Sequence, residues 1–139
     1  MADADNILVE RFARQGDAEA FTEIVQRYSA MVNAVCRRVV GSPTAAEDAC
    51  QDTFFRLLEK PQSVKGSLPC WLHQTATWVS LKTLRQDKAR RRREMESRTV
   101  SAQPRSRWEE ISPYVDEALV ELPEDARRLL IAHFLEGKT

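Results

Sequence analysis

Hydrophobic residues recur at intervals of three and four positions along most of the chain, which is typical of amphipathic helices. The clearest series runs from Phe21 through Ile24, Tyr28 and Val32 to Val39. No segment alternates apolar and polar residues with a period of two over a useful length. The pattern therefore predicts an all-α protein.

Capping residues and helix breakers divide the first part of the chain into four helices. Asp5 or Asn6 is expected to cap the first, which ends at Gly16, and Asp17 to cap the second. Ser67 is expected to cap the fourth helix. Pro69 then lies in the first turn of that helix, where the backbone N–H that proline lacks has no partner in any case. The predicted helices run from residue 5 or 6 to 16, from 17 to 41, from about 44 to 60, and from 67 into the basic run that ends at 93.

The apolar repeat fails between residues 94 and 112, which are mostly polar and are predicted to be a linker. Two short helices are predicted after it, at 114–121 and 124–136, with Leu122-Pro123 between them. Such a hairpin buries too little surface to fold alone, so the natural protein is expected to continue past Thr139. The predicted organisation is a compact domain at 1–93, a linker at 94–112 and an incomplete helical hairpin at 113–139.

Charge is unevenly distributed although the net charge is zero. Residues 1–60 carry ten acids and seven bases, and residues 94–139 carry ten acids and six bases. Residues 61–93 carry eight bases and the single acid Asp87. This segregation indicates an anionic partner at the middle segment and a different partner elsewhere.

Several function classes find no support in the sequence. There is no apolar run long enough to span a membrane and no secretory signal, so a cytoplasmic location is expected. The three cysteines lack the spacing of a disulfide framework or a zinc site. No glycine-rich phosphate loop is present, and His73 has no evident carboxylate or thiol partner and is predicted to lie on a helix surface. We therefore predict no catalytic residue, no metal site and no cofactor.

The third helix carries an acidic face with an aromatic residue on it. At about 100° per residue, Asp48, Gln51, Asp52, Phe55 and Glu59 form one strip opposite the apolar face, which includes Phe54, Leu57 and Leu58. A large aromatic side chain on a solvated strip is typical of a protein-docking surface. Spacing alone leaves open the alternative of a singly exposed phenylalanine, which is common.

The fourth helix combines aromatic rings with positive charge. Trp71 and Trp78 fall on one flank, seven residues apart, and the basic residues follow. Cations neutralise phosphates and exposed rings stack on unpaired bases, so this combination suits single-stranded or melted nucleic acid. The alternatives are a solvated basic helix end that complements the helix dipole and, for Trp71, a place in the core. The predicted contacts are Trp71, Gln74, Trp78, Lys82, Arg85, Lys88, Arg90, Arg91, Arg92 and Arg93.

Three segments in order, DAEAFTEIVQRY, AAEDACQDTFFRLL and WLHQTATWVSLKTLR, resemble region 2 of extracytoplasmic-function (ECF, group IV) RNA polymerase sigma factors of the sigma-70 family. The closing ELPEDARRLLIAHFLEGKT resembles the opening of their region 4. The resemblance implies a compact region 2 followed by a truncated region 4, without the helix that reads the −35 element.

The resemblance also implies roles for the two helix faces. Asp48, Gln51, Asp52 and Phe55 would contact the clamp helices of the largest polymerase subunit. The fourth helix would face the −10 element, and the loop at 61–67, with Lys65, would hold a base extruded from the non-template strand. The family often has Asn where this chain has Trp78, so we expect stacking there instead of the usual base contact.

The expected function is thus a sigma factor that docks on core RNA polymerase and binds and melts promoter DNA at the −10 element. An anti-sigma factor is a candidate third partner. The alternative is a stand-alone helical DNA- or RNA-binding regulator, in which the acidic strip serves only solvation.

Overall fold

The computed structural model describes residues 2–95 and 107–135, and these residues form helices and turns without any strand. The all-α prediction is confirmed. The six α-helices are α1 (Ala2–Gln15), α2 (Ala18–Val40), α3 (Pro43–Glu59), α4 (Leu68–Met95), α5 (Arg107–Val120) and α6 (Glu124–Leu130). A 3-10 turn (Pro61–Ser63) precedes α4, and a π-helical turn (Ile131–Leu135) follows α6. Within the described residues, no helix is both long and apolar enough to cross a membrane.

Helix α2 begins and ends where its sequence predicts. The Asp17 carboxylate accepts hydrogen bonds from the backbone N–H groups of Glu19 and Ala20, at 3.1 and 3.4 Å. At the other end, Gly41 adopts a positive φ of 81° and donates its N–H to the carbonyl of Arg37. These contacts satisfy backbone groups that have no partner inside the helix.

Helix α1 begins earlier than predicted. It starts at Ala2, so neither Asp5 nor Asn6 is its N-cap. Asp5 is instead buried inside the helix, where its carboxylate accepts hydrogen bonds from the Tyr28 hydroxyl and the Arg27 guanidinium. The tertiary partners on α2 therefore determine the role of this carboxylate.

Helix α2 lies at the centre of the core and packs against α1, α3, α4 and α5. Its side chains Ile24, Tyr28, Val32 and Val35 are almost fully buried. Each large apolar side chain removed from water in this way contributes about 1.5–3 kcal/mol to folding. The prediction that Leu58 of α3 belongs to the core is wrong, because 42% of that residue is exposed.

Helix α4 divides into two halves. The first half buries Leu72, Ala76 and Val79 against α2 and α3. From Lys82 onward the described side chains are exposed or only partly buried. At 28 residues the helix is about 42 Å long. It therefore carries core contacts at one end and the charged run at the other.

The C-terminal helices pack back on α2 and α4. Helix α5 begins at Arg107, seven residues before its predicted start, and contains Pro113. Ser112, two residues before the predicted start, is already buried, and α5 packs against α2 and α4, which local propensity cannot reveal. Residues 96–106 of the predicted linker lie outside the described residues. How the chain divides into domains stays a prediction.

A buried carboxylate holds α5 in place. The Arg38 guanidinium of α2 donates from Nε to Asp116 Oδ2 at 2.9 Å and from Nη2 to Asp116 Oδ1 at 2.8 Å. Nε2 of His73, on α4, lies 3.0 Å from the same Oδ1. We call Arg38, His73 and Asp116 the Asp116 cluster. The prediction that His73 is a surface residue is wrong: it is fully buried, because α5 covers it with a carboxylate 43 residues away in sequence.

Burial and hydrogen bonding act in opposite directions on Asp116. Burial alone would raise the pKa of its carboxyl, but the hydrogen bonds from His73 and Arg38 outweigh this and hold the pKa below the ordinary 3.8. The carboxylate is therefore ionised near neutral pH and pairs with the Arg38 charge.

Replacing Asp116 with Asn should lower the free energy of unfolding by about 3 kcal/mol, because Arg38 loses the charge that compensates its largely buried guanidinium. Urea denaturation measures this. Asp52→Asn is the control, since its exposed ion pair with Arg56 should contribute less than about 1 kcal/mol. Equal losses in the two variants would contradict a structural role for the cluster.

Acid should erase the difference between wild type and Asp116→Asn. Because the folded pKa of Asp116 is depressed, its contribution is complete above the unfolded value of 3.8 and disappears as pH falls through the lower folded value. The unfolding free energies of the two proteins, measured by denaturation at a series of pH values, should converge on acidification. A difference that stays constant below that range would contradict ionisation of this carboxyl.

Candidate nucleic-acid interface and docking strip

The predicted docking strip lies on the exposed side of α3. Asp48, Gln51, Asp52 and Phe55 are all exposed, Phe55 to 56%, whereas its neighbour Phe54 is only 7% exposed. The Asp52 carboxylate accepts a hydrogen bond at 3.4 Å from Arg56 one turn later. These four side chains therefore present carboxylates, an amide and a phenyl ring to solvent on one helix face.

Leu58 extends the apolar part of this face. It follows Phe55 by three residues, which places the two side chains next to each other on the helix surface. Sequence reasoning missed Leu58 because its hydrophobicity assigned it to the core. Its spacing from Phe55 was the available signal. Together these residues give the acidic strip an exposed apolar patch.

A cleft of about 510 Å³ lies between the end of α3, the 3-10 turn and the first half of α4. It brings together three predicted nucleic-acid contacts, Trp71, Trp78 and Lys82. Trp78 is 58% exposed, whereas Trp71 is half-buried and packs on the core, as its alternative interpretation stated. The full lining is Arg56, Glu59, Lys60, Ser63, Trp71, Thr75, Trp78, Val79 and Lys82.

The cleft also contains two cations that sequence reasoning missed. Arg56 and Lys60 come from the end of α3, and only the tertiary fold places them opposite the tryptophans of α4. With Lys82 they give the cleft three cations against the one carboxylate of Glu59, beside the two indoles. Phosphates and unpaired bases are the groups that such a combination binds.

The second half of α4 presents the rest of the predicted cationic surface. The exposed basic residues there are Lys82, Arg85, Lys88, Arg90, Arg92 and Arg93, and Lys65 is exposed in the loop before the helix. The Arg91 side chain lies outside the described residues. Asp87 lies 3.7 Å from Arg90 and offsets little of this charge. The segment is thus a nearly continuous positive surface along one helix.

A second, smaller cleft of about 280 Å³ lies on the other side of Trp78, between α4 and α5. Arg85 lines it from α4, and Glu117 and Glu121 line it from α5. The predicted contact Gln74 is half-buried, and its side-chain oxygen accepts a hydrogen bond from Arg127 of α6 at 3.5 Å. The C-terminal helices therefore contact several of the predicted nucleic-acid residues.

The chemistry of the described residues does not resemble a catalytic site. His73 and Asp116 form a histidine–carboxylate pair, but both are fully buried and closed to a substrate. Burial raises the pKa of the Cys36 thiol to about 11, which keeps it protonated and unreactive near neutral pH. No group of three or more candidate metal ligands occurs in the part of the chain that the structure describes.

Residues 24–91, from the middle of α2 into the basic half of α4, match the family model of sigma-70 region 2. The chain is also similar to the ECF RNA polymerase sigma factor SigW of Bacillus subtilis (strain 168), with 30% identity over 77 residues. The aligned part covers 54% of this chain and 41% of that relative. The chain thus matches less than half the length of this relative.

The family model thus matches sigma-70 region 2, and the similar relative is an ECF sigma factor. The matched segment contains the docking strip of α3 and both tryptophans of the larger cleft. All-helical structure is consistent with a region 2 domain.

Phe54 and Phe55 should respond differently to truncation. Phe54→Ala should lower the free energy of unfolding by about 3–5 kcal/mol, because it opens a cavity in the core. Phe55→Ala should change it by about 0.5 kcal/mol or less, because the ring is mostly in solvent. Urea denaturation of both variants tests this. A large loss with Phe55→Ala would mean that the ring serves the fold.

Proposed function

We propose that this chain is part of a group IV ECF sigma factor that directs bacterial RNA polymerase to promoters. One observation carries the proposal: a single matched segment, residues 24–91, contains both an exposed acidic-aromatic strip and a cationic cleft with two tryptophans. A factor that joins a large enzyme to DNA needs two such surfaces. It acts in the cytoplasm, where the polymerase is.

The docking strip of α3 binds core polymerase at the clamp helices of the largest subunit. The exposed Phe55 and Leu58 supply apolar contact area, and the surrounding Asp48 and Asp52 give charge complementarity to a basic partner. More than half of Phe55 is exposed. The exposed ring is therefore available to a partner.

The larger cleft and the basic half of α4 bind the −10 element. The indole of Trp78 stacks on an unpaired base, while Lys82 and Arg85 neutralise adjacent phosphates. The 3-10 turn closes the other side of the cleft, and the loop with Lys65 follows it directly; an extruded base is held there.

Promoter opening follows from binding alone in this scheme. Docking on polymerase holds the cleft against the duplex, and stacking on Trp78 is available only when a base has left its pair. Binding therefore favours the melted state by the difference in affinity between the two forms of DNA. No residue of the chain performs covalent chemistry.

Residues 121–139 belong, by their resemblance, to the opening of region 4. An anti-sigma factor is a candidate regulator. A stand-alone nucleic-acid-binding regulator is the alternative, and it requires the cationic cleft but no partner for the strip.

The double variant Asp48→Arg/Phe55→Ala should abolish binding to core polymerase while the fold survives, because both side chains are exposed. A pull-down with purified core polymerase measures binding, and circular dichroism measures folding. The expected loss is at least about tenfold in affinity, since such a pair combines a lost anchor with an opposed charge.

The matched control is Ile7→Ala/Glu10→Arg on α1. Ile7 is exposed to 56%, the same fraction as Phe55, and Glu10 is also exposed. This control should bind polymerase as wild type does. Equal binding by both double variants would favour the stand-alone regulator.

Trp78→Ala should weaken binding to single-stranded or forked DNA by about tenfold and binding to intact duplex much less, because only an unpaired base can stack. Trp108→Ala is the control, since Trp108 is exposed to the same 58% but lies on α5 outside both clefts. Fluorescence anisotropy with labelled oligonucleotides measures each affinity. A uniform loss for both kinds of DNA would rule out stacking.

A further inference from the structure

The C-terminal helices contact the nucleic-acid side of α4 near its start. A side chain at Gly66 would place its Cβ 2.6 Å from Oε1 of Glu124, so this carboxylate lies directly against the loop before α4. Within α4, at Gln74, the side-chain oxygen accepts a hydrogen bond from Nη1 of Arg127 on α6. Helix α6 thus contacts both the loop before α4 and Gln74, one of the predicted nucleic-acid contacts.

Helix α5 continues this coverage along α4. Glu117 and Glu121 line the smaller cleft together with Trp78 and Arg85. Their carboxylates stand on the side of the indole that is away from the larger cleft. A phosphate that approached Arg85 beside Trp78 would meet these two negative charges.

The Asp116 cluster holds α5 in this position. Asp116 is the residue before Glu117, and its carboxylate is fixed by Arg38 of α2 and His73 of α4. Ser112 adds a hydrogen bond from Oγ to the backbone carbonyl of Arg38 at 3.4 Å. The position of the α5 carboxylates beside α4 is therefore set by buried contacts with two other helices.

We propose that the α5–α6 segment competes with DNA for α4 within the same molecule, and this inference rests on the proposed function. In the closed form that the structure describes, Glu117, Glu121 and Glu124 occupy the surroundings of Trp78, Arg85 and the loop. The larger cleft stays open in this form, but DNA that continues past Trp78 to Arg85 and the loop requires α5 and α6 to move away from α4. The Asp116 cluster sets the balance between the closed and open forms.

The cost of this competition follows from the fraction of open molecules. If about one molecule in ten is open, the apparent affinity for DNA is about tenfold weaker than that of the open form. Anything that separates α5 from α4 removes this penalty. Docking on another protein through α5 would act in the same direction as a variant of Asp116.

The test uses the full chain and a fluorescein-labelled single-stranded oligonucleotide of mixed sequence at low ionic strength. Glu117→Gln/Glu121→Gln should bind the oligonucleotide about threefold more tightly than wild type, because it removes the competing charge without touching a buried group. Asp116→Asn should bind about tenfold more tightly, with faster hydrogen exchange in α5 as evidence of opening.

The matched control is Glu19→Gln/Glu23→Gln, which makes the same change in net charge on exposed positions of α2 outside both clefts. It should bind the oligonucleotide distinctly less tightly than Glu117→Gln/Glu121→Gln. Equal affinities of these two double variants would overturn the proposal. If Asp116→Asn fails to fold, the comparison of these two double variants tests the proposal by itself.

Faster exchange in α5 without tighter DNA binding would also overturn the competition. Neither result involves polymerase, so failure of the polymerase pull-down would count against the proposed function and leave this comparison intact. Conversely, wild-type DNA affinity in the glutamine variants would leave the polymerase and stacking proposals standing.

Discussion

The structure depends on the pairing of one buried charge. The Asp116 carboxylate is fully removed from water, and such a group is tolerated only with strong partners. Those partners stand on two different helices, Arg38 on α2 and His73 on α4. The pairing therefore fixes the C-terminal segment on the fold, together with apolar contacts such as the buried Ile131.

Helix α4 serves two purposes with opposite demands. Its inner face supplies Leu72, Ala76 and Val79 to the core, and its outer face carries Trp78 and the basic residues. The core contacts fix the helix, so the exposed indole and cations keep a defined position relative to Arg56 and Lys60 of α3. A rigid support of this kind is what a binding surface needs if it is to favour one form of DNA over another.

Local features were readable from the sequence, and long-range pairings were not. The apolar period gave the helices, and Asp17 and Gly41 marked the limits of α2 correctly. Phe55 was expected on an exposed strip because its angular position is opposite the core, and the structure agrees.

His73 and Leu58 were misassigned for contrasting reasons. His73 is buried by a partner 43 residues away, and Leu58 is exposed because no element in the described part of the chain covers that side of α3. Hydropathy alone predicts neither the burial of His73 nor the exposure of Leu58.

The uninterrupted course of α4 has a mechanical consequence. After Pro69 the helix contains neither proline nor glycine up to Met95, so it offers no site where bending is cheap. A rod of this length that tilts by about 10° at its packed end displaces its arginine-rich tip by roughly 7 Å. That distance matches the spacing of neighbouring phosphates along a strand. Small adjustments in core packing would thus shift the register between the cationic tip and the nucleic-acid backbone.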